Sequence, residues 1–394
     1  MSAAGSRQAP AAVRLPPDLP PKRPHLLALT GVRFAAALLV VCLHARHTLE
    51  GSLSPQWAAF ISSGQVGVSL FFILSGLILT YTYAGPDGRL NTSRREFWLA
   101  RVARIYPVYL LGLVLSAPYF LLPVLHRWPT TTEWVTALLT PALLQAWLPQ
   151  TACVWNCPGW SLSAEAFFYA LFPVALGWRL WVHGRVRQVR WPLTALWIAT
   201  LVPPLIYVAM TRPMPAESLV ADTFYYGPLF RLPEFLLGIL LGWQLLQVKG
   251  AGRAALWSVV GLVGSAALMV WGHTVFPPIL NKVMIVPFLA LLLWGLAHGR
   301  GWVARVFAWS PLVVLGEASY SLYILHVPVY LWLSSAWRRV LPGVPQELAF
   351  FLVYLAVLIP LSLVTYLALE RPAQRLLRRR WQTRPAAPVI SSAP

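Results

Sequence analysis

Apolar residues run in blocks of about 20 along most of the chain, the length that crosses roughly 30 Å of hydrocarbon as a helix. They do not alternate with polar residues, as the strands of a membrane barrel would. Each helix satisfies its own backbone hydrogen bonds in lipid, so the pattern predicts an all-α membrane protein. About ten spans are expected: 26–46, 62–84, 106–125, 160–181, 191–211, 226–247, 254–274, 283–298, 312–334 and 349–369. Residues 133–148 are also apolar, but Pro141 interrupts them and they are short for a span. They predict a re-entrant or interfacial helix.

Composition agrees. The 394 residues are 58% hydrophobic and 11% charged, against roughly 25% charged in soluble domains. The formal net charge of +19 would suggest nucleic acid in a soluble protein. Here the cations cluster in short loops, which excludes that class and serves orientation and anionic lipid instead. With the N-terminus cytoplasmic, 22 Lys and Arg fall on the inside, including Arg89, Arg94, Arg95, Arg101 and Arg104, against six outside. Both termini are therefore expected in the cytoplasm. Crossing at 133–148 would invert every later loop. Residues 1–24, rich in Pro, Ala and Arg and without a secretory signal, read as a disordered tail. Residues 25–372 read as one membrane domain and 373–394 as a basic, then disordered, tail.

Ionisable residues inside apolar spans are costly and mark function by default. They are Arg33, His44, Glu165, Arg231, Glu234, Glu317 and His326. For each, the alternative is a structural pair that holds helices together. Depth counting puts His44, Glu165 and His326 in the outer half, with Arg231 and Glu234 beginning the sixth span on the same side. Two imidazoles and two carboxylates at similar depth suit proton handling. Arg33 and His44 are 11 residues apart, so they share a helical face about 16 Å apart, within reach of one long ligand. Arg101 and Arg104 also share a face. They either grip phosphates bidentately or belong to an amphipathic segment lying on anionic lipid. His44 and His47 are three apart but no third ligand is near, so no metal is expected. Cys153 and Cys157 fall in an outer loop where an oxidising compartment would permit a disulfide; spacing leaves the pairing open. Cys42 reads as a small packing residue.

Six segments, in order, resemble motifs of the acyltransferase-3 family of integral membrane O-acyltransferases, along most of residues 26–372. They are Leu29 to His44, with its Arg33 and His44; Gly67 to Gly76; Arg101 to Pro107, an R-x-x-R-I-x-P element; and Trp160 to Glu165, followed by Phe168-Tyr169. Ser319 to Pro328 and Glu370-Arg371-Pro372 complete the series. Thr30 departs from the pattern, standing where many members carry Asp. The extracytoplasmic hydrolase-like domain of some members has no counterpart in this length, so the membrane domain or a separate partner is expected to handle the acceptor.

The resemblance implies transfer of an acyl group, acetyl by expectation, from acyl-CoA to a hydroxyl. The acceptor would be a surface glycan, a lipid-linked sugar or a secondary metabolite such as a macrolide. Arg101 and Arg104, with Arg33, would hold the CoA phosphates. His44 would be the general base, Glu165 would orient it, and His326 would stabilise the oxyanion or relay the proton. Ser161 and Ser163 read as ordinary helix-start residues. The expected location is the bacterial plasma membrane. Two alternatives stay open: a proton-coupled transporter, and an acyl-translocating subunit serving a separate transferase. Consumption of acyl-CoA by the isolated protein discriminates among the three.

Overall fold

A computed structural model describes residues 23–85, 87–127, 129–177, 190–210, 219–248 and 252–381. The first 22 residues and the last 13, on which the two tail readings mostly fall, lie outside them, as do several of the counted loop cations, Arg185 and Arg187 among them. The described residues are helical throughout, with one isolated bridge between Ala84 and Leu90 as the only β pairing.

Ten helices correspond to the ten expected blocks. They are α1 (Leu27–His44), α2 (Val66–Tyr83), α3 (Arg94–Leu125), α4 (Gly159–Leu176) and α5 (Arg190–Met210), then α6 (Pro228–Gln247), α7 (Ala254–Val275), α8 (Val286–Ala297), α9 (Ser319–Val340) and α10 (Leu348–Thr365). By length and composition, eight stretches of the described residues are apolar and long enough to cross a membrane. Helix Ser310–Glu317 joined to α9 makes a ninth, bent by 63° at the junction. The apolar part of α5, Thr194–Met210, is shorter.

The structure differs from the sequence expectation in three places. The third span begins twelve residues earlier than its apolar block, because Ser93 and Glu96 form a reciprocal capping box that starts the helix at Arg94. The basic stretch is therefore the first turns of α3 and not a separate surface helix. The ninth span is broken at Ala318. Gly316 sits against the carbonyl of Thr30, where an added Cβ would approach to 2.0 Å, and Ser319 Oγ bonds back to the Gly316 carbonyl at 2.7 Å. The apolar stretch 133–148 is α-helical only over Thr131–Leu139, after a capping box from Thr130 and Glu133, with a single 3-10 turn at Gln145–Trp147. Pro141 and the left-handed backbone of Leu143 (φ 58°) then turn the chain.

Small residues let the helices meet. A Cβ on Gly76 would lie 2.2 Å from the Phe235 carbonyl oxygen, and one on Gly238 would lie 2.0 Å from that of Ile73. Helices α2 and α6 thus touch backbone to backbone, as association in lipid favours. Beside this contact Phe168 meets Phe72 edge to face and stacks on Phe235, with ring centroids 5.2 and 4.9 Å apart, and ties α4 to the pair. A second apolar cluster joins α1 to α7 and α8, and a third joins α1 to α9 and α10. Helix α1 contributes to both and is the axis on which the site is built.

Candidate active site

Helix α1 carries Arg33 near its start and His44 as its last residue. At the His44 end, the imidazoles of His44 and His326 meet edge to face with centroids 4.8 Å apart. Their polar contacts fix the tautomers. His44 Nδ1 lies 2.9 Å from the Val40 carbonyl oxygen, and His326 Nδ1 lies 2.6 Å from that of Tyr323. A carbonyl only accepts, so each Nδ1 donates, and in the neutral ring each Nε2 presents a lone pair. His326 is fully buried and its Nε2 has no hydrogen-bond partner. The peptide of His326 is held in turn by Tyr354 Oη, which donates to its carbonyl at 2.9 Å.

His44 lines a cavity of about 880 Å³. The end of α1, residues of α5 and the N-terminal turns of α6 form its walls, with Tyr225 of helix Leu219–Tyr226 and Lys282. Among its polar groups are Arg231 and Glu234, buried and 3.1 Å apart. The loop before α4 forms one edge. Cys153 and Cys157, both at the cavity, are joined in a disulfide, and Asn156 between them donates to the Ile324 carbonyl at 3.2 Å. That bond ties the loop to the turn of α9 that leads into His326. Cys42 is free and half-buried in α1.

A second polar cluster lies around Arg33. Arg104 pairs with Glu370, a carboxylate only 1% exposed, which also accepts from Ser321 Oγ at 2.7 Å. Arg101 donates to Tyr83 Oη at 3.0 Å. Its guanidinium lies among the rings of Tyr83, Phe97 and Tyr169, 5.3 to 5.9 Å from their centroids. Glu165 is hydrogen-bonded to Ser75 and Tyr169 and feels the charges of Arg33 and Arg101; Arg33 in turn feels Arg104 and Glu370. Arg33, Arg101 and Arg104 thus belong to one electrostatic cluster with Glu165 and Glu370. Glu165 is not placed as expected. Its neighbours belong to the arginine cluster, and His44 is not among them, so the role of orienting His44 passes to the Val40 carbonyl. Both Nδ1 protons being spent on carbonyls also makes neutral His326 an acceptor at Nε2, which suits proton relay and not donation to an oxyanion.

Other expected residues have structural partners. Glu317 accepts from Tyr366 Oη at 2.9 Å beside the break before α9. Ser161 Oγ bonds the Pro158 carbonyl and Tyr323 Oη, at 3.0 and 2.8 Å, and Ser163 Oγ accepts from the Ala146 amide. Among the described residues no three His, Cys, Asp or Glu side chains are grouped to hold a metal ion. Glu370, Ser75, Tyr169 and Ser321 join the site without having been singled out from sequence. All four lie inside segments quoted above as motifs, so the signal was present and unassigned.

The model of the acyltransferase domain family matches residues 26–367. Acyltransferase MdmB of Streptomyces mycarofaciens is 30% identical over 407 aligned residues, covering 95% of this chain and 99% of that protein. O-acetyltransferase OatA of Staphylococcus aureus is 26% identical over 333 residues, 79% of this chain. A putative O-acetyltransferase of the same species, SACOL0978, is 25% identical over 339 residues. The match spans about half the length of each of these two proteins, 51% and 52%. No solved structure matches. A membrane bundle with the motif residues gathered at two heights along one helix, and a family match over most of its length, lead to one conclusion: the chain belongs to the acyltransferase-3 family of integral membrane O-acyltransferases.

Proposed function

We propose that this protein transfers an acyl group, acetyl as in the names of two relatives, from acyl-CoA to a hydroxyl of a carbohydrate or secondary metabolite, in a bacterial plasma membrane. One observation carries the reading: the imidazole of His44 on the cavity wall touches that of fully buried His326, each with Nδ1 committed to a carbonyl. Both termini are cytoplasmic in this reading, by the distribution of basic loops. Acyl-CoA enters from the arginine side, where Arg33 and Arg101 meet its phosphates. Arg104 is already engaged by Glu370 and shapes the cluster more than it binds.

The pantetheine arm runs along α1 for the roughly 16 Å that separate Arg33 from His44. The acceptor hydroxyl approaches from the cavity. His44 Nε2 takes its proton as the hydroxyl oxygen bonds to the thioester carbon. The tetrahedral species then collapses, the carbon–sulfur bond breaks, and the leaving CoA thiolate recovers the proton from the imidazolium. His326 Nε2 is the neighbouring acceptor to which that proton can pass in between. General base catalysis of this kind contributes about 10²–10⁴-fold.

The test follows CoA release from acetyl-CoA by the purified protein in detergent. His44→Ala is expected to lose about 10²–10⁴-fold in rate, and Arg101→Ala to weaken acetyl-CoA binding. Arg101 is chosen over Arg104 because removing Arg104 would orphan buried Glu370. Full activity in His44→Ala would eliminate His44 as the base. Folded wild type that neither binds nor consumes acetyl-CoA or longer acyl-CoAs would move the transporter reading to the front.

A further inference from the structure

Asn156 is held in the interior at a cost. It is 2% exposed, and its Oδ1 has no hydrogen-bond partner among the described residues. An unpaired buried oxygen is unfavourable, and leucine has nearly the same shape without it. The offsetting contact is on the other side of the amide, where Nδ2 donates to the Ile324 carbonyl at 3.2 Å. That carbonyl lacks its helical partner. Within α9 the Ile324 oxygen would accept from the N–H of residue 328, and Pro328 has none. The loop amide thus replaces the backbone bond that proline deletes. Helix α3 leaves room for it: a Cβ on Gly112 would lie 2.8 Å from Asn156 Nδ2 and 2.5 Å from the Ile324 side chain. The same loop holds the preceding residue of α9, since Tyr323 Oη donates to the Pro158 carbonyl at 3.3 Å. Cys157, joined to Cys153, stands between these two attachments.

We propose that Asn156 is a positioning residue for the proton transfer: by standing in for the missing N–H of Pro328, it fixes the turn of α9 that carries His326, and with it the place of that imidazole beside His44. Its effect on rate rests on the acyltransferase reading. His326 is two residues after Ile324 and two before Pro328, inside the one turn where the backbone ladder is interrupted. Its ring takes its orientation from that backbone, through Nδ1 to the Tyr323 carbonyl, and Tyr354 Oη secures the carbonyl of His326 itself. The other ring nitrogen, Nε2, has no partner to hold it. A shift of the 323–328 backbone would therefore move Nε2 relative to His44, whose imidazole is set by a different helix. The arginine cluster around Arg33 has its own partners, so Asn156 acts on the rate and not on donor affinity.

The experiment follows acetyl-CoA consumption and binding by the full chain in detergent, together with ring-nitrogen NMR of histidine-labelled protein, His326 being assigned from His326→Gln. Asn156→Leu keeps the bulk and removes the donor. It is expected to lower kcat about tenfold to a hundredfold, the scale on which misplacing a catalytic group acts. Acetyl-CoA affinity should stay near that of wild type, and the His326 ring signals should be displaced. The same substitution in the Pro328→Ala background is the decisive arm, because the restored backbone N–H then satisfies the Ile324 carbonyl. There its effect, relative to Pro328→Ala alone, is expected to fall to about twofold or less in kcat, with the His326 signals unmoved. A loss of the same size in both backgrounds would make Asn156 a packing residue of the loop and overturn the proposal. Wild-type kcat in Asn156→Leu, or a loss of acetyl-CoA affinity equal to the loss of rate, would overturn it too. The ring signals apply the same cycle to any variant too slow to assay. If folded wild type does not consume acetyl-CoA, the transferase reading falls, while background-dependent displacement of the His326 signals keeps Asn156 as the residue that positions His326.

Discussion

The Arg104–Glu370 pair should be worth far more to the folded protein than a surface ion pair. Glu370 is 1% exposed and the Arg104 side chain 21%. The same carboxylate accepts from Ser321 Oγ at 2.7 Å, and Ser321 is fully buried. Glu370→Ala therefore leaves a cation uncompensated and a buried hydroxyl without its acceptor. Breaking a buried pair from one side costs about 3–5 kcal/mol, and an orphaned neutral donor adds about 1–3 kcal/mol. Arg104 is exposed enough to swing toward water, which offsets part of this, so a net loss of about 3 kcal/mol is expected. Arg104→Met combined with Glu370→Leu removes both charges at once and should recover most of that loss. The assay is an SDS titration of unfolding in mixed micelles, followed by tryptophan fluorescence, on wild type, both single variants and the double variant. A loss below about 1 kcal/mol in Glu370→Ala would place the pair with exposed bridges. A double variant as unstable as Glu370→Ala would show that the cost lies outside the pair. Either result refutes the reasoning.

The other predictions concern the frame of the site. Gly76→Ala would put a Cβ 2.2 Å from the Phe235 carbonyl oxygen, so α2 and α6 must separate. A cost at or above the usual overpacking range of about 1–3 kcal/mol is expected in the same titration, and wild-type stability would contradict it. Replacing Cys153 and Cys157 by Ser opens a small loop, worth about 2 kcal/mol by chain entropy. It should lower the thermal midpoint and abolish its sensitivity to reductant; a midpoint that reductant still shifts in the variant would contradict this. Arg127 hydrogen-bonds Glu133 at 3.0 and 2.5 Å and, with Thr130, pulls its carboxyl down to about 2. Because the folded value is depressed, the pairing's contribution is complete above the unfolded value near 4.3 and disappears as pH falls through about 2. The Glu133 carboxyl carbon shift should titrate there in wild type and move up in Arg127→Gln; an ordinary titration in wild type would count against the pair.

The helices were legible because each is announced locally, by an apolar block of spanning length. Their ends are marked only by capping residues, and Ser93 with Glu96 is such a mark, which the expected span 106–125 did not use. The break at Ala318 had no local sign, because it depends on Gly316 meeting the Thr30 carbonyl of another helix. His44 and His326 could be matched by counting residues from span ends, and the structure brings them into contact. The same counting failed for Glu165. It lies six residues into α4, about 9 Å by helical rise, whereas Arg33 is about 16 Å from His44 along α1. The hydrogen-bond partners of Glu165, Ser75 and Tyr169, hold it within the field of Arg33 and Arg101 instead. Depth along a helix locates a Cα; it does not say which of two polar clusters a side chain will join.

In the proposed mechanism, one helix serves both substrates. Arg33 and His44 are fixed on the same face of α1 by the helical repeat, so their separation does not vary with side-chain packing. The contacts around α1 hold its rotation: Gly31 against the Phe307 carbonyl, and the Thr30 carbonyl against Gly316, both too close for a Cβ. Turning α1 would move Arg33 and His44 together, keeping their spacing but aiming both away from α4 and α9. Donor binding and base catalysis should then fail jointly in variants that crowd this seam, and separately in variants of Arg33 or His44 themselves. In the seam variants, the weakened acetyl-CoA binding and the lowered rate should track each other. In His44→Ala the rate should fall with acetyl-CoA binding retained.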